Sequence, residues 1–473
     1  MRSYRRRLGI IILFLSDIVI LFFIALLAVF IRTFLPSIIS GFPALSININ
    51  YSWWFFPVWI SILMYEGAYT RKFTFWDEVR MLWKVTLFST LAILAIFFLG
   101  KMGNIVSRAV IILIGLLSLI IFPLLRTAVK QGLFKLGVTT SKALILGAND
   151  TGRLALNALI KEKNLGYRVI GFGDDLAKIR KRYFEGIKVH GHMECVERYL
   201  KNGDVQDVVI ALPEFDKEQL AHLVNRLQHK AASILYFPDF SGMVVMGTEL
   251  RHFFQDQAFA LEIKNNLAQP LNYYTKRLFD YLFGLFFFIL LIIPIGIISL
   301  LIRLTSRGPA ILKQERIGKN SRPFICYKFR TMYHDADERL EVILANNPEA
   351  KIEWETYWKL KNDPRITTLG MFLRKTSLDE IPQIINILKG DMSLVGPRPY
   401  IPREWDWLKE YSETINSVQP GITGLWQVRG RSDSSHEQRL TLDAWYVRNW
   451  NLWLDIVILI KTIYVVLKKE GAR

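Results

Sequence analysis

The chain has 473 residues, 51% of them hydrophobic, and a formal net charge of +18. Such a basic balance suits polyanions, but Lys and Arg gather at the ends of long apolar segments, which argues against nucleic acid and for anionic lipid headgroups and phosphorylated substrates. The length suggests about three domains, and Cys195 and Cys326 fit neither a ligand spacing nor a disulfide framework, so both read as reduced thiols on the cytoplasmic side.

Residues 1–135 read as a four-helix transmembrane region. A hydrocarbon core of roughly 30 Å needs about 20 apolar residues, and the candidates are Leu8 to Ile31, Trp53 to Tyr69, Val79 to Leu99 and Ala109 to Leu125. Glu66 shortens the second. The first follows Arg2, Arg5, Arg6 and Arg7 with no small-residue cleavage site, and reads as an uncleaved anchor. Arg71 and Lys72 follow the second, while Arg126, Lys130 and Lys135 follow the fourth, so both ends of the region are expected on the cytoplasmic side. Thr33 to Ser52 carries no charge and suits an outer loop.

Residues 140–263 read as a cytoplasmic α/β domain. The expected strands are Lys142–Gly147, Tyr167–Phe172, Asp207–Leu212 and Ser233–Phe237, with helices at Arg153–Lys161 and Phe215–Gln228. This alternation implies a parallel sheet. The turn Gly147-Ala148-Asn149-Asp150-Thr151-Gly152 resembles a dinucleotide loop, with Asp174 or Asp175 where a ribose-binding acid would stand. Asn149, however, occupies the place of the second glycine, where backbone must approach pyrophosphate, which favours a degenerate fold kept for assembly or regulation. A dehydratase-like Tyr-x-x-x-Lys occurs at Tyr357 and Lys361, outside the sheet it would serve.

Residues 272–304 read as one membrane helix whose apolar run, Leu278 to Ile302, contains Pro294, is preceded by Lys276 and Arg277 and is followed by Arg303, Arg307, Lys313 and Arg316. Basic flanks at both ends suit a helix broken at Pro294 that turns back within the membrane; a kinked fifth span is the alternative. Beyond it, Lys328-Phe329-Arg330 alternates in strand fashion and should place both cations on one side, and Asn362-Asp363-Pro364-Arg365 adds a turn with another arginine. Asp379 and Glu380 open a short helix that runs through Pro382 and ends at Gly390. One reading is a helix cap. The other is chemistry: a helix N-terminus attracts phosphate and favours ionised carboxylates, and neighbouring side chains diverge by about 100°, so one would attack while the other holds metal. Pro397-Arg398-Pro399 is a rigid frame for presenting a guanidinium to phosphate oxygens. Asn451 to Lys468, apolar around much of its circumference, reads as a surface-lying helix or a core helix.

Several ordered blocks carry a resemblance. Lys276-Arg277-Leu278-Phe279-Asp280, Gln314-Glu315-Arg316-Ile317-Gly318, Lys328-Phe329-Arg330-Thr331-Met332, Leu373 to Gln383, Gly390 to Pro399 and Pro420-Gly421-Ile422-Thr423-Gly424 resemble the catalytic domain of the bacterial sugar transferases, the monotopic polyprenyl-phosphate phosphoglycosyl transferases. The resemblance implies a membrane α-helical bundle plus α/β fold: four transmembrane helices, a degenerate Rossmann-like domain, and a mostly helical catalytic domain, residues 305–473, with a re-entrant membrane helix and an interfacial C-terminal helix. It implies a multi-pass protein of the bacterial inner membrane that starts O-antigen or exopolysaccharide synthesis by moving a hexose 1-phosphate, with galactose expected, from a UDP-hexose to undecaprenyl phosphate. Asp379 would attack phosphorus and release UMP, Glu380 would hold Mg²⁺, and Lys328, Arg374 and Arg398 would surround the phosphates. A homo-oligomer, as a dimer, is expected. The alternatives are a membrane-anchored NAD-dependent sugar-nucleotide dehydratase and a non-catalytic assembly scaffold in which Asp379 is only a cap.

Overall fold

The computed structural model describes residues 2–38, 55–100, 107–174, 183–191, 193–202, 205–238, 249–253, 258–262, 267, 269–357, 360, 363–404, 408–430 and 436–468. They fall into two compact units, Met1–Asp239 and Phe240–Arg473.

The first unit opens with helices α1 (Arg2–Ile38), α2 (Phe55–Tyr65), α3 (Phe75–Leu99) and α4 (Arg108–Lys135). Ile20, Ile24, Leu63, Leu82, Val85, Ile93 and Phe122 pack between them. α1, α3 and α4 are long and apolar enough to cross a membrane. α2, the described part of the expected second span, has 11 residues, about 16 Å at helical rise, which falls short of the hydrocarbon thickness. Its end has a local cause. Gly67 adopts φ +76°, and the amides of Gly67 and Ala68 turn back to Met64 O and Leu63 O. Trp53 and most of the expected outer loop lie outside the described residues.

The α/β part forms a sheet in the order β3-β4-β2-β1-β5-β6. The strands are β1 (Ser141–Leu146), β2 (Tyr167–Asp174), β3 (Tyr183–Phe184), β4 (Ile187–Gly191), β5 (Asp207–Ile210) and β6 (Ser233–Tyr236). All pairings are parallel except β3 with β4. Helices α5 (Asp150–Lys161), α6 (Met193–Lys201) and α7 (Lys217–Leu227) connect the strands, and β1 is buried on both faces, with Ala143 and Ile145 in one core and Leu144 and Leu146 in the other. This is the half-Rossmann order, with the crevice between β1 and β5.

Polar contacts hold the sheet domain to the helical bundle within this unit. Asn164 donates to Phe73 O and to Glu78 at 2.5 Å, Glu162 accepts from the Phe75 amide, and Lys72 pairs with Asp207 at 2.9 Å. Glu78 also meets Arg126 and Lys130, and Arg126 meets Asp17, so the contacts from the sheet domain end in a buried ionic cluster.

The second unit begins with the hairpin β7 (Glu249–Phe253) and β8 (Ala258–Glu262), inside the 140–263 range but outside the first unit. Helix α8 (Pro270–Thr305) follows. It stays helical through Pro294, so no interruption of secondary structure accompanies the proline. Lys276 and Arg277 are not lipid-facing flanks. Lys276 is buried and donates to Asp455 and Val395 O, and Arg277 donates to Met392 O and Tyr281. Gly284 meets Ile387, while Ile295, Ile298 and Ile302 join Phe329, Leu373, Leu378 and Ile381 in a cluster. Between them Leu285, Phe286, Ile289, Leu290, Ile292 and Ile293 are each at least 50% exposed.

The rest comprises the antiparallel hairpin β9 (Ile311–Ile317) and β10 (Pro323–Phe329), helices α9 (Ala336–Asn346), α10 (Pro348–Tyr357), α11 (Thr368–Thr376) and α12 (Ile384–Lys389), and the parallel pair β11 (Ser393–Val395) and β12 (Gly421–Thr423). Helices His436–Arg448 and Leu452–Lys468 close the unit. The last divides by burial. Leu454, Asp455, Val457 and Ile458 are core, whereas Ile463, Tyr464 and Leu467 are exposed. Asp455, on that core side, is wholly buried and accepts from Lys276, Tyr446 and Trp450.

Candidate active site

Asp379 and Glu380 stand in a 3₁₀ turn, Leu378–Gln383, wedged between α11 and α12. Asp379 is not the cap. Ser377 precedes the turn at φ +56°, a left-handed conformation that costs a serine energy and that persists only where the surroundings enforce it. It is the point at which α11 ends and the chain reverses into the acidic pair. Pro382 is tolerated in this short turn, where its missing N–H has no long helix to interrupt.

Strand β10 brings Lys328 to the turn, and its Nζ meets Glu380 Oε1 at 2.8 Å. Arg374, on α11, donates from Nε to Thr331 Oγ1 at 2.9 Å. Burial, then the neighbouring Glu380 charge, pushes the Asp379 carboxyl up to about 6, while Lys328 and Arg374 pull the other way. At neutral pH Asp379 is therefore mostly ionised yet poorly solvated, the state that suits a nucleophile. Among the described residues no three metal-ligating side chains cluster. Magnesium needs no such cage: one or two carboxylates, substrate phosphates and water satisfy it. The repulsion between Asp379 and Glu380 is what a divalent cation would relieve, so the donor set fits.

One expected member of the site, Arg330, is elsewhere. Arg330 does not share a face with Lys328, because β10 ends at Phe329 and the next side chain turns under the end of α8. There it donates to Ser306 O, Ser306 Oγ and Arg307 O at 2.8, 2.8 and 2.5 Å, satisfying carbonyls that a helix end leaves open. Arg365 is folded onto Asp363 through two bonds of 2.7 and 2.8 Å and lies over Trp354. Asn362, Lys361 and Asp175 lie outside the described residues, as does the Cys195 side chain; Cys326 is buried and free.

Pro397-Arg398-Pro399 follows β11 and is held at many points. Gly396 N donates to Thr423 O, Gly421 N to Pro397 O, and Ile317 N to Tyr400 O. Arg316, buried between β9 and this turn, donates to Pro399 O at 3.3 Å, and Arg398 lies 3.7 Å from Glu404. Burial and the Arg398 charge pull the Arg316 guanidinium down. The Glu404 and Glu380 charges oppose that pull. Asp443 completes the frame, its Oδ2 accepting from Arg398 N at 3.1 Å and Tyr400 Oη at 2.9 Å. Sequence reading missed Thr331, Tyr400 and Asp443. The signal for Asp443 was its position on the buried stripe Leu440, Asp443, Ala444, Val447, a carboxylate on the apolar face of a helix.

The nucleotide-like turn of the first unit is filled by its own residues. Asn149 accepts from Gly152 N at 2.8 Å and reaches across the crevice to Ala211 O at 3.1 Å, while Asp174 accepts from Ala148 N at 2.7 Å. A Cβ on Gly147 would lie 2.1 Å from Ala211 O, so this glycine serves strand-to-strand packing. Two amides of the turn, those of Ala148 and Gly152, and the acid at the end of β2 are thus engaged within the turn itself.

The chain matches the Bacterial sugar transferase family over residues 271–469 and the CoA-binding domain family over residues 64–238. It is 39% identical to undecaprenyl-phosphate galactose phosphotransferase of Salmonella typhimurium, covering 85% of this chain and 84% of that one. It is 36% identical to UDP-galactose-lipid carrier transferase of Erwinia amylovora over 97% and 96% of the two chains, and 28% identical to UDP-glucose:undecaprenyl-phosphate glucose-1-phosphate transferase of Klebsiella pneumoniae over 72% and 71%. With the acidic turn, its lysine and the clamped Pro-Arg-Pro in the matched region, this chain belongs to the bacterial sugar transferase family.

Proposed function

We propose that the protein transfers hexose 1-phosphate from a UDP-hexose to undecaprenyl phosphate, with galactose as the sugar. The juxtaposition of Asp379, half-buried and raised to about 6, with Glu380 and Lys328 carries the reading. The galactose assignment rests on the higher identity to the two galactose-named relatives than to the glucose-named one.

An Asp379 carboxylate oxygen attacks the β-phosphorus of the UDP-hexose. The bond to the bridging oxygen breaks, UMP leaves with the electron pair, and the sugar phosphate remains on Asp379. An oxygen of undecaprenyl phosphate then attacks the same phosphorus, and the Asp379 carboxylate leaves, giving the lipid diphosphate sugar. Lys328, Arg374 and Arg398 stabilise charge on the phosphoryl oxygens. Glu380 would hold Mg²⁺, which neutralises diphosphate charge when bound.

We read α8 as re-entrant, with the catalytic unit at the cytoplasmic face of the bacterial inner membrane. Gly284 and Ile295 would lie about 16 Å apart along a straight axis, and both flanking stretches pack on the same unit, although the apolar residues between them face outward. A bend at Pro294 within the continuous helix would accommodate both sets of contacts. The exposed end of Leu452–Lys468 supplies a further apolar surface for the interface. The dehydratase alternative is disfavoured by the filled nucleotide turn.

The test incubates the purified protein with Mg²⁺, undecaprenyl phosphate and UDP-galactose or UDP-glucose, and measures UMP and lipid-linked sugar. Wild type should release UMP with UDP-galactose, and Asp379→Asn should lose turnover by on the order of 10³-fold or more while remaining folded. Turnover retained in Asp379→Asn would remove the nucleophile assignment.

A further inference from the structure

Within Pro397-Arg398-Pro399, the Arg398 N–H is the only backbone donor, since proline has none. Asp443 takes it. The same Asp443 oxygen accepts the Tyr400 hydroxyl, so one atom grips the chain on both sides of Pro399. Pro399 in turn restricts Arg398 to extended backbone. Asp443 itself is wholly buried, on a helix anchored by Leu440 and Ala444 against Tyr400, Leu408 and Ile415. Its other oxygen, Oδ1, is buried without a hydrogen-bond partner. A carboxylate kept in the core at this cost, with no cation against it within ion-pair range among the described residues, calls for a function beyond packing.

We propose that Asp443 is the positioning residue for Arg398: it clamps the turn from the core side so that the guanidinium reaches the transferring phosphoryl group in one orientation. The proposal rests on the reading of Arg398 as a phosphate contact. Arg398 is the group that touches substrate, and Asp443 acts only through it. Fixing a charged donor in advance removes reorganisation at the moment of reaction, which is where such a contact gains its catalytic value.

The experiment is a double-mutant cycle on the full chain in nanodiscs, reading kcat and KM with UDP-galactose. Asp443→Ala should lower kcat/KM by about 10- to 100-fold in the wild-type background and by less than about 2-fold in an Arg398→Ala background. Asp443→Asn can present one oxygen to both donors and should stay within about 3-fold of wild type. Equal losses from Asp443→Ala in both backgrounds would overturn the proposal, because a purely structural role does not depend on Arg398. Should Asp443→Ala fail to fold, Tyr400→Phe removes one arm of the clamp and is carried through the same cycle, with additivity again the overturning result. Unchanged kcat/KM in Arg398→Ala alone would instead remove the Arg398 reading, and the proposal with it, leaving Asp379 untouched.

Discussion

Asp379 and Asp443 are both carboxylates held above their ordinary range, with different consequences. Asp379 is half-buried beside two cations and is mostly ionised at neutral pH. Asp443 is wholly buried, and burial pushes it up to about 7, with the Arg398 amide, the Tyr400 hydroxyl and the Arg398 charge opposing. Its folded value thus exceeds the unfolded value near 3.8. The folded state binds the proton more tightly, so the stability this group contributes is fully present below about pH 4 and is lost as pH rises through about 7. Wild type should therefore lose stability relative to Asp443→Asn by up to about 1.4 kcal/mol per pH unit across that window, which apparent melting temperatures from pH 5 to 8 would show; a difference independent of pH would contradict it. Arg330 makes the opposite point, a cation with a structural task. Arg330→Ala should cost about 1.5 to 3 kcal/mol of stability through its carbonyl bonds, read as a lower melting temperature with KM for the UDP-sugar unchanged.

At the scale of elements, the sheet of the first unit follows from alternating apolar runs, and each of the four expected strands lies within two residues of its observed bounds. Local pattern suffices there because buried parallel strands are continuous apolar runs. It does not record the end of α2, where Gly67 at φ +76° closes the helix at Tyr65, before the expected Tyr69. It also fails at the acidic turn, where the left-handed Ser377 depends on packing that no single-residue preference records. The positions of Asp379, Glu380, Lys328 and Arg374 were legible from motifs. Asp443 and Arg330 were not, because their roles depend on partners 45 and about 24 residues away. The filled nucleotide turn carries its own expectation. Titration calorimetry of the intact protein with NAD⁺ or NADH should show no saturable binding that depends on Gly147 and Gly152, and saturable binding with that dependence would reopen the crevice.

At the scale of the molecule, among the described residues the first compact unit contains three helices long and apolar enough to cross a membrane and the second contains one, α8. In the first, Asn164, Glu162 and Asp207 tie the sheet domain to the start of α3 and the residues before it. Asn164→Leu leaves the buried Glu78, which keeps Arg126 and Lys130, without its neutral donor. It should raise amide exchange in β1 and α5 severalfold, measured by hydrogen–deuterium exchange in nanodiscs, while exchange around Asp379 stays as in wild type. The buried Lys276 and Arg277 of the second unit have a different kind of consequence. Membrane insertion machinery senses loose positive charge beside a hydrophobic helix, and moving such charges is the usual way to turn a helix around experimentally. Here both cations are internal fasteners of the folded enzyme, joined to Asp455, Val395 and Met392. Replacing them to ask which way α8 faces would also break contacts inside the unit whose orientation was in question.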